Sequence, residues 1–410
     1  MGETEAQEAP EKSAGLGEIE DLLSDGIKAT PPSFVRSILK AAADPEVISF
    51  AGGLPNPISF PQKALLESMQ RVVAEQGAAA FQYSLTAGLP ELRRWIAQRY
   101  NERHGLDYTE DDVLITTGSQ QALDLLGKVL LNKGDHVAVE MPTYLAAIQA
   151  FSMQQPQFHA VELTEDGLNI PQLKRALDAG VKMIYLIPNF QNPTGLTYSI
   201  EGREAVRAAL AGRNVVLIED DPYGELRFDG ATLPYIGAGH LPHSIVLGSF
   251  SKVVTPGMRT GFILTKDAQL LRNISIAKEA SDLHTNVFSQ YVIWDYLMHN
   301  DLDEHLVKIK DLYRSQAQAM VDAMEEFFPA NVTYTRPDGG MFLWVTLPEG
   351  VSAMKIFPEV LKQKVAFVPG DPFFVDVQDS NTMRLNYTNA DCATIREGIC
   401  RLGKMLKELN

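Results

Sequence analysis

Seven short apolar runs alternate with helix-like stretches between residues 113 and 264, and this alternation restricts the possible folds more than any other feature. The runs are Val113–Thr116, His136–Glu140, Phe158–Leu163, Met183–Pro188, Val215–Asp220, Ile245–Ser249 and Gly261–Leu264. Short, continuous runs rich in Val and Ile are typical of strands buried on both faces. Strands that alternate with helices predict an α/β domain around a mostly parallel, seven-stranded sheet. In the helical stretch 119–131 we expect Ser119 to be the N-cap.

The chain after residue 300 has a different pattern, with a long helix closed by Pro329 and then separate strands and helices. This order predicts a smaller α+β domain. The Gly- and Pro-rich segment before residue 60 is expected to be an extended connector that joins this small domain. We therefore divide the chain into a disordered tail (1–15), an N-terminal helix and connector (16–60), a large domain (61–300) and a small domain (301–410).

The composition excludes several classes of protein. The 410 residues include 36 basic and 52 acidic side chains, a net charge of −16, which disfavours binding to nucleic acid or to an anionic membrane. No apolar run reaches the ~18 residues of a spanning helix, and the N-terminus does not have the pattern of a secretory signal. Cys392 and Cys400 form neither a Cys-x-x-Cys pair nor a disulfide framework, so a cytoplasmic location is expected.

A lysine follows the predicted strand that ends at Ser249, in the segment Leu247-Gly-Ser-Phe-Ser-Lys252. Desolvation at such a position lowers the pKa of an amine and makes it a nucleophile for an aldehyde. Ser249, Ser251 and Arg259 could bind a phosphate beside it. Taken alone, the segment is explained better by an ordinary surface lysine.

Acidic residues end another predicted strand, in the order Asp220-Asp221-Pro222-Tyr223. Ligands of open α/β sheets bind at the carboxyl ends of strands, and a buried carboxylate there needs a cationic partner such as a protonated heteroaromatic nitrogen. A solvated loop acid and a metal ligand are the alternatives. A metal is the weakest of these, because no histidine lies nearby at metal-ligand spacing.

Two further segments follow predicted strands at the same edge of the sheet. Asn192-Pro-Thr-Gly is ordinary turn chemistry, although it would bring the Asn192 amide to that edge. Thr116-Thr-Gly-Ser119-Gln120 opens a helix, where amides and hydroxyls can bind an anion, and a plain capped helix explains it equally well. It lacks the glycine pattern of nucleotide-binding loops, so a nucleotide is not indicated.

The four segments together, in this order and spacing, resemble the class I/II aminotransferases of fold type I, which use pyridoxal 5′-phosphate (PLP). The resemblance extends from about Pro32 to the C-terminus. It is carried by Ser-x-Ser-Lys252 with Arg259 seven residues later, by Asn192-Pro-Thr-Gly and by Asp220-x-x-Tyr223. The segments Ser49-Phe-Ala-Gly-Gly-Leu-Pro and Gln82-Tyr83-Ser84 are similar to the subgroup of 2-aminoadipate and kynurenine aminotransferases.

The resemblance implies a role for each matched residue. Lys252 would form the Schiff base with PLP and move the Cα proton, while Asp220 would pair with the pyridinium nitrogen. Tyr223 and Asn192 would hydrogen-bond the phenolic oxygen, and Tyr144 would stack on the ring. The phosphate ligands would be Ser119, Gln120, Ser249, Ser251, Arg259 and, from the neighbouring subunit of a homodimer with shared active sites, Tyr83. The substrate would contact Arg384, which binds its α-carboxylate, together with Asn192 and Gly53.

The expected reaction moves an amino group from an L-amino acid to a 2-oxo acid such as 2-oxoglutarate. The segment 33–40 resembles the mobile lid helix of the subgroup, in which Arg36 would bind the distal carboxylate of 2-aminoadipate or glutamate. Aromatic or branched substrates are also expected, and a surface role for Arg36 is the alternative. Two other functions stay open: a decarboxylase, racemase or oxidase of the same fold, and an aminotransferase-like regulator, which is disfavoured because the acidic residues 1–30 cannot form a DNA-binding domain.

Overall fold

The computed structural model describes residues 19–32, 38 and 44–408. The predicted disordered tail, 1–15, and Arg36 lie outside these residues. Within the described chain no helix is long and apolar enough to cross a membrane.

The strands are short and follow the predicted positions closely. In chain order they are β1 Ile48–Ser49, β2 Val113–Thr116, β3 His136–Met141, β4 Gln157–Thr164, β5 Gly167–Leu168, β6 Met183–Leu186, β7 Val216–Asp220, β8 Ser244–Ser249, β9 Gly261–Leu264, β10 Thr333–Tyr334, β11 Phe342–Thr346, β12 Val365–Ala366, β13 Val368–Pro369 and β14 Thr382–Asn386.

The α-helices separate most of these strands along the chain. They are α1 Asp25–Ala29, α2 Gln62–Gln76, α3 Pro90–His104, α4 Gly118–Leu130, α5 Leu145–Ser152, α6 Ile170–Asp178, α7 Ile200–Leu210, α8 Ala268–Asp282, α9 Val287–His299, α10 Leu302–Phe327, α11 Ala353–Lys362 and α12 Cys392–Glu408.

The main sheet has the order β2-β9-β8-β7-β6-β3-β4-β5. The neighbours β8, β7, β6, β3 and β4 run parallel, whereas β9 is antiparallel to both β2 and β8. All seven predicted strands lie in this sheet, which confirms the α/β architecture. The two-residue strand β5 pairs antiparallel with β4 at the edge; it was not predicted, because two residues carry no periodicity.

Helix α4 begins one residue earlier than predicted, and the prediction of Ser119 as its N-cap is wrong. Thr117 is the N-cap residue, and its backbone N–H donates to Gln121 Oε1 over 2.8 Å. The turn is thus closed by a side chain from within the helix. The hydroxyl of Ser119 is buried and has no hydrogen-bond partner within the described part of the chain.

The C-terminal part forms a four-stranded antiparallel sheet in the order β10-β11-β14-β13, against which helices of the same part pack, as the α+β prediction requires. The predicted strand 365–368 is divided into β12 and β13, and β12 pairs in parallel with β1. The N-terminal connector therefore contacts this part of the chain through Ile48 and Val365. The exact limits of the predicted domains stay predictions.

A buried arginine holds the loop that carries the Asn-Pro turn. Arg203 on α7 is 0% exposed, and its guanidinium donates to Tyr198 O, Pro188 O, Asn189 Oδ1 and Pro234 O. Because a buried guanidinium is tolerated only with such partners, the loop from 188 to 198 is fixed against the sheet on both sides of Asn192.

Candidate active site

A cavity of about 920 Å³ lies at the carboxyl ends of the parallel strands. The predicted site residues that line it are Gly53, Ser119, Gln120, Tyr144, Asn192, Asp220, Tyr223, Ser249, Ser251, Lys252, Arg259 and Arg384. They come from chain segments far apart in sequence, and the sheet brings them together because β6, β7 and β8 end side by side.

Lys252 lies just beyond β8 and points its amine into the cavity. Its Nζ donates to Gly53 O over 2.8 Å. Burial, together with the positive charges of Arg384 and Arg259, lowers the pKa of Lys252 to about 8. A large fraction of the Lys252 side chain is therefore an uncharged amine at mildly alkaline pH.

Asp220 ends β7 and is 2% exposed. The hydroxyl of Tyr185 donates to Asp220 Oδ2 over 2.7 Å, whereas Oδ1 is buried without a hydrogen-bond partner in the described structure. Burial raises the pKa of Asp220 to about 7, the charge of Asp221 acts in the same direction, and the Tyr185 hydrogen bond opposes them. A cation placed at Oδ1 would restore the charged carboxylate.

Tyr185 is a site residue that was not predicted from the sequence. In the sequence it lies within a buried apolar run, and a tyrosine in such a run is expected to be a core residue. The pairing of β6 with β7 supplies the missing information, because Tyr185 lies opposite Ile218 and residue 218 shares a strand face with Asp220.

The turn before α4 and Arg259 form a cationic, donor-rich corner of the cavity. Gly118 has φ +71°, and a Cβ at this position would lie 2.7 Å from Arg259 Nη2. Arg259 itself has φ +51°, an uncommon conformation for a residue with a side chain. The unpartnered hydroxyl of Ser119 lies at the same helix N-terminus, so this corner suits an anion such as phosphate.

Arg384, on β14, lines the same cavity and is hydrogen-bonded to Asn192. Its Nη1 donates to Asn192 Oδ1 over 2.9 Å and its Nη2 to Ala51 O over 2.8 Å. The guanidinium also lies over the Phe342 ring, 4.3 Å from its centroid. Burial lowers the pKa of Arg384 to about 10, and each terminal nitrogen keeps a second proton for a substrate carboxylate.

Tyr223 is held beside the same asparagine. Asn192 Nδ2 donates to Tyr223 Oη over 3.4 Å, and burial raises the pKa of Tyr223 well above its usual value. The phenol therefore stays protonated and can donate to an oxygen in the cavity.

These features fit a phosphorylated pyridine aldehyde. The Lys252 amine suits the aldehyde, the unpartnered oxygen of Asp220 suits a protonated ring nitrogen, and the Arg259 corner with the unpartnered Ser119 hydroxyl suits the phosphate. Tyr144 supplies an aromatic wall.

One predicted site residue among those that the structure describes, Tyr83, does not line the cavity. Tyr83 is 79% exposed, and its ring meets His284 edge-on with 5.8 Å between the centroids. Arg36 lies outside the described residues. Among the described residues no group of three or more His, Cys, Asp or Glu side chains could hold a metal ion.

Comparisons with known proteins agree with this geometry. Residues 52–402 match the family model of "Aminotransferase class I and II". The chain is 41% identical over 390 residues to an aromatic-amino-acid aminotransferase of Thermococcus litoralis, covering 93% of each chain. It is 42% identical over 383 residues to a 2-aminoadipate transaminase of Thermus thermophilus, covering 92% of this chain and 94% of that protein.

A solved structure is similar over almost the whole chain. The kynurenine aminotransferase of Pyrococcus horikoshii, in complex with PMP, has a TM-score of 0.91 and 40% identity, with 96% of this chain and 98% of that chain covered. The chain belongs to the class I and II aminotransferases, and it is an amino-acid aminotransferase of fold type I with PLP as its cofactor.

Proposed function

We propose that the residues of the cavity catalyse amino-group transfer, each with a separate role. We also propose that the amino donors include 2-aminoadipate, glutamate and aromatic or branched amino acids, with 2-oxoglutarate as an acceptor. The main support for this proposal is that the Lys252 amine and the unpartnered Oδ1 of Asp220 lie in the same cavity.

The cofactor supplies an aldehyde for the amine and an aromatic ring that withdraws electrons from the substrate. Lys252 is the residue that joins it, and the same amine accepts and returns the substrate's Cα proton, which a pKa near 8 allows at physiological pH. Asp220 holds a positive charge at the ring nitrogen, and Tyr185 orients that carboxylate. Tyr223 and Asn192 donate to the phenolic oxygen.

Arg384 binds the α-carboxylate of the amino acid. Its guanidinium is held in one plane by Asn192 Oδ1 and Ala51 O and by the ring of Phe342. Because each terminal nitrogen keeps one further proton, the carboxylate can be held at two points, which also fixes the orientation of Cα. Gly53 lies beside the Phe342 ring, and its carbonyl oxygen accepts a hydrogen bond from Lys252 Nζ.

The wall that faces the substrate side chain is largely apolar. It includes Pro32, Leu54, Leu145 and Ala146, which suits aromatic and branched side chains. The cations of the described lining are Lys252, Arg259 and Arg384, and each already has a role.

A distal carboxylate therefore needs a further cation, and we assign that role to Arg36. Pro32 lines the cavity and Ile38 is buried in a cluster with Ala51 and Phe373. Arg36 lies between these two positions in the chain, only four residues from Pro32, a span of at most ~14 Å.

We also propose a homodimer in which Tyr83 reaches the phosphate of the partner's cofactor. Tyr83 lies in a stretch of the chain, 54–85, in which several large apolar side chains are exposed, namely Leu54, Ile58, Leu66, Val73, Phe81 and Leu85. An interface formed by this stretch would bury these side chains and bring Tyr83 beside a second chain.

The replacement Lys252→Ala tests the proposed function. It should lower turnover at least about a thousandfold, since it removes both the attachment point and the proton carrier, and it should abolish the visible absorption band of the lysine-linked cofactor. Lys266→Ala, which removes a partly exposed lysine paired with Asp112, should change neither. An unaltered rate and spectrum in Lys252→Ala would refute the assignment.

The rate at which the cofactor-free protein captures PLP should depend on pH through Lys252. The reactive neutral amine is the form present above its pKa, so capture should rise with pH and reach half its maximum near pH 8. Stopped-flow absorbance from pH 6 to 10, normalised to a free lysine derivative, measures this. In Arg384→Met the midpoint should move upward, because one neighbouring positive charge is lost. A midpoint above 10 in the unaltered protein would contradict the burial of the amine.

Arg36→Ala should lower activity on substrates with a distal carboxylate and spare substrates with an apolar side chain. Loss of a charge-assisted hydrogen bond should lower kcat/KM for 2-aminoadipate about 10- to 100-fold and leave leucine nearly unaffected. Steady-state kinetics with both substrates measure this, with Arg36→Lys as the variant that keeps the charge. Equal losses on both substrates, or no loss on either, would remove Arg36 from substrate recognition.

Mixed dimers test whether Tyr83 acts across an interface. Tyr83→Phe alone should weaken PLP binding about tenfold through loss of a hydrogen bond to phosphate. A hybrid of a Tyr83→Phe chain with a Lys252→Ala chain should contain one site with native Lys252 and native Tyr83, and this site should regain the affinity of the unaltered protein. If the hybrid binds PLP no better than Tyr83→Phe alone, Tyr83 does not act in the partner's site.

A further inference from the structure

A fully buried lysine lies behind the turn between β2 and α4 and has no role in the chemistry described above. Lys278, in α8, is 0% exposed. Burial lowers its pKa, against which Asp282 acts in the opposite direction. A buried ammonium is costly unless its protons all have partners.

The ammonium of Lys278 is fully partnered. Its Nζ donates to Gln121 Oε1 over 2.9 Å and to Thr285 Oγ1 over 3.0 Å. It also lies 2.9 Å from Asp282 Oδ1 and 3.0 Å from Oδ2. Lys278 thus ties α8 to the first turn of α4, on which Gln121 lies.

Gln121 connects Lys278 to the turn between β2 and α4. Its Oε1 also accepts the backbone N–H of Thr117 over 2.8 Å, and its Nε2 donates to Asp282 Oδ2 over 2.6 Å. A cation at the amide oxygen and an anion at the amide nitrogen permit one orientation of the amide only. That orientation is the one that presents an acceptor to Thr117.

The other side of the same turn faces the cavity. Gly118 adopts φ +71° directly beside the Arg259 guanidinium, and Ser119 and Gln120 line the cavity. The turn therefore lies between two cations, Lys278 behind it and Arg259 in front of it. Movement of Thr117 would displace the amides and the Ser119 hydroxyl together.

We propose that Lys278 is a positioning residue for cofactor binding, which holds the β2–α4 turn through Gln121 in the geometry that receives the phosphate. This inference rests on the proposed function of the cavity. An ion pair buried solely for stability is often replaced by apolar residues without loss. Lys278, in contrast, also donates to the amide oxygen of Gln121 that accepts from Thr117, so its charge strengthens the orientation that the turn needs.

The experiment compares two ligands that differ only in the phosphate. Cofactor-free protein is titrated with PLP and with pyridoxal, and the dissociation constants are measured by absorbance. In Lys278→Met, an apolar replacement of similar length, the dissociation constant for PLP should rise at least about tenfold and that for pyridoxal should stay the same. The control is Lys128→Met, which removes another lysine paired with an Asp four residues away, at the far end of α4; it should change neither constant.

Three outcomes decide the inference. A selective loss of PLP affinity supports it, whereas equal weakening of both ligands, or no change in either, overturns it. If Lys278→Met does not fold, Lys278→Met/Asp282→Asn, which removes both charges together, takes its place in the same titration. An unaltered protein that binds pyridoxal as tightly as PLP would instead overturn the proposed use of the phosphate corner, and with it the inference.

Discussion

The active site is built around the buried carboxylate of Asp220, whose Oδ1 has no hydrogen-bond partner among the described residues. A parallel sheet delivers this side chain to its carboxyl edge, where burial raises the pKa to about 7 and one oxygen has no partner in the described structure. A cation in the cavity would compensate for the cost of keeping this carboxylate charged. Lys252, whose pKa burial lowers to about 8, is a poor candidate because its amine is engaged with Gly53 O. We propose that the protonated ring nitrogen of PLP supplies this charge.

The remainder of the site follows from placing that ring. A ring whose nitrogen paired with Asp220 and whose aldehyde joined Lys252 would have its phosphate held by Arg259 and the start of α4. Arg384 then lies where the carboxylate of an amino acid can be bound. Arg203 and Lys278 contribute from outside the cavity, because each uses a buried positive charge to fix a loop that carries site residues.

Most of the fold was predictable because the strands of the main sheet are buried on both faces and read as continuous apolar runs. The strand ends were predicted within a residue or two, and with them the shared edge that brings Lys252, Asp220 and Asn192 together. Strand β5 was missed because it is too short to show a pattern. Ser119 was placed wrongly as an N-cap because the residue that closes the turn, Gln121, lies within the helix and is not a typical capping residue.

The residues that the sequence could not reveal act through contacts between distant segments. Tyr185 reads as a core residue until β6 is paired with β7, and Lys278 reads as a surface lysine on an amphipathic helix until α8 is packed against α4. Sequence motifs identify residues that contact ligands, because these residues recur at a fixed spacing along the chain. Residues that orient those ligand-binding groups become visible only in three dimensions.

The most direct test of this account is to locate the covalent attachment of the cofactor. The protein loaded with PLP is reduced with borohydride, digested and analysed by mass spectrometry, in parallel with an Asp220→Asn variant. The account predicts that the reduced cofactor lies on the peptide that contains Lys252, and that Asp220→Asn binds PLP more weakly at the same lysine. Label on another lysine, or equal affinity in the Asp220→Asn variant, would contradict it.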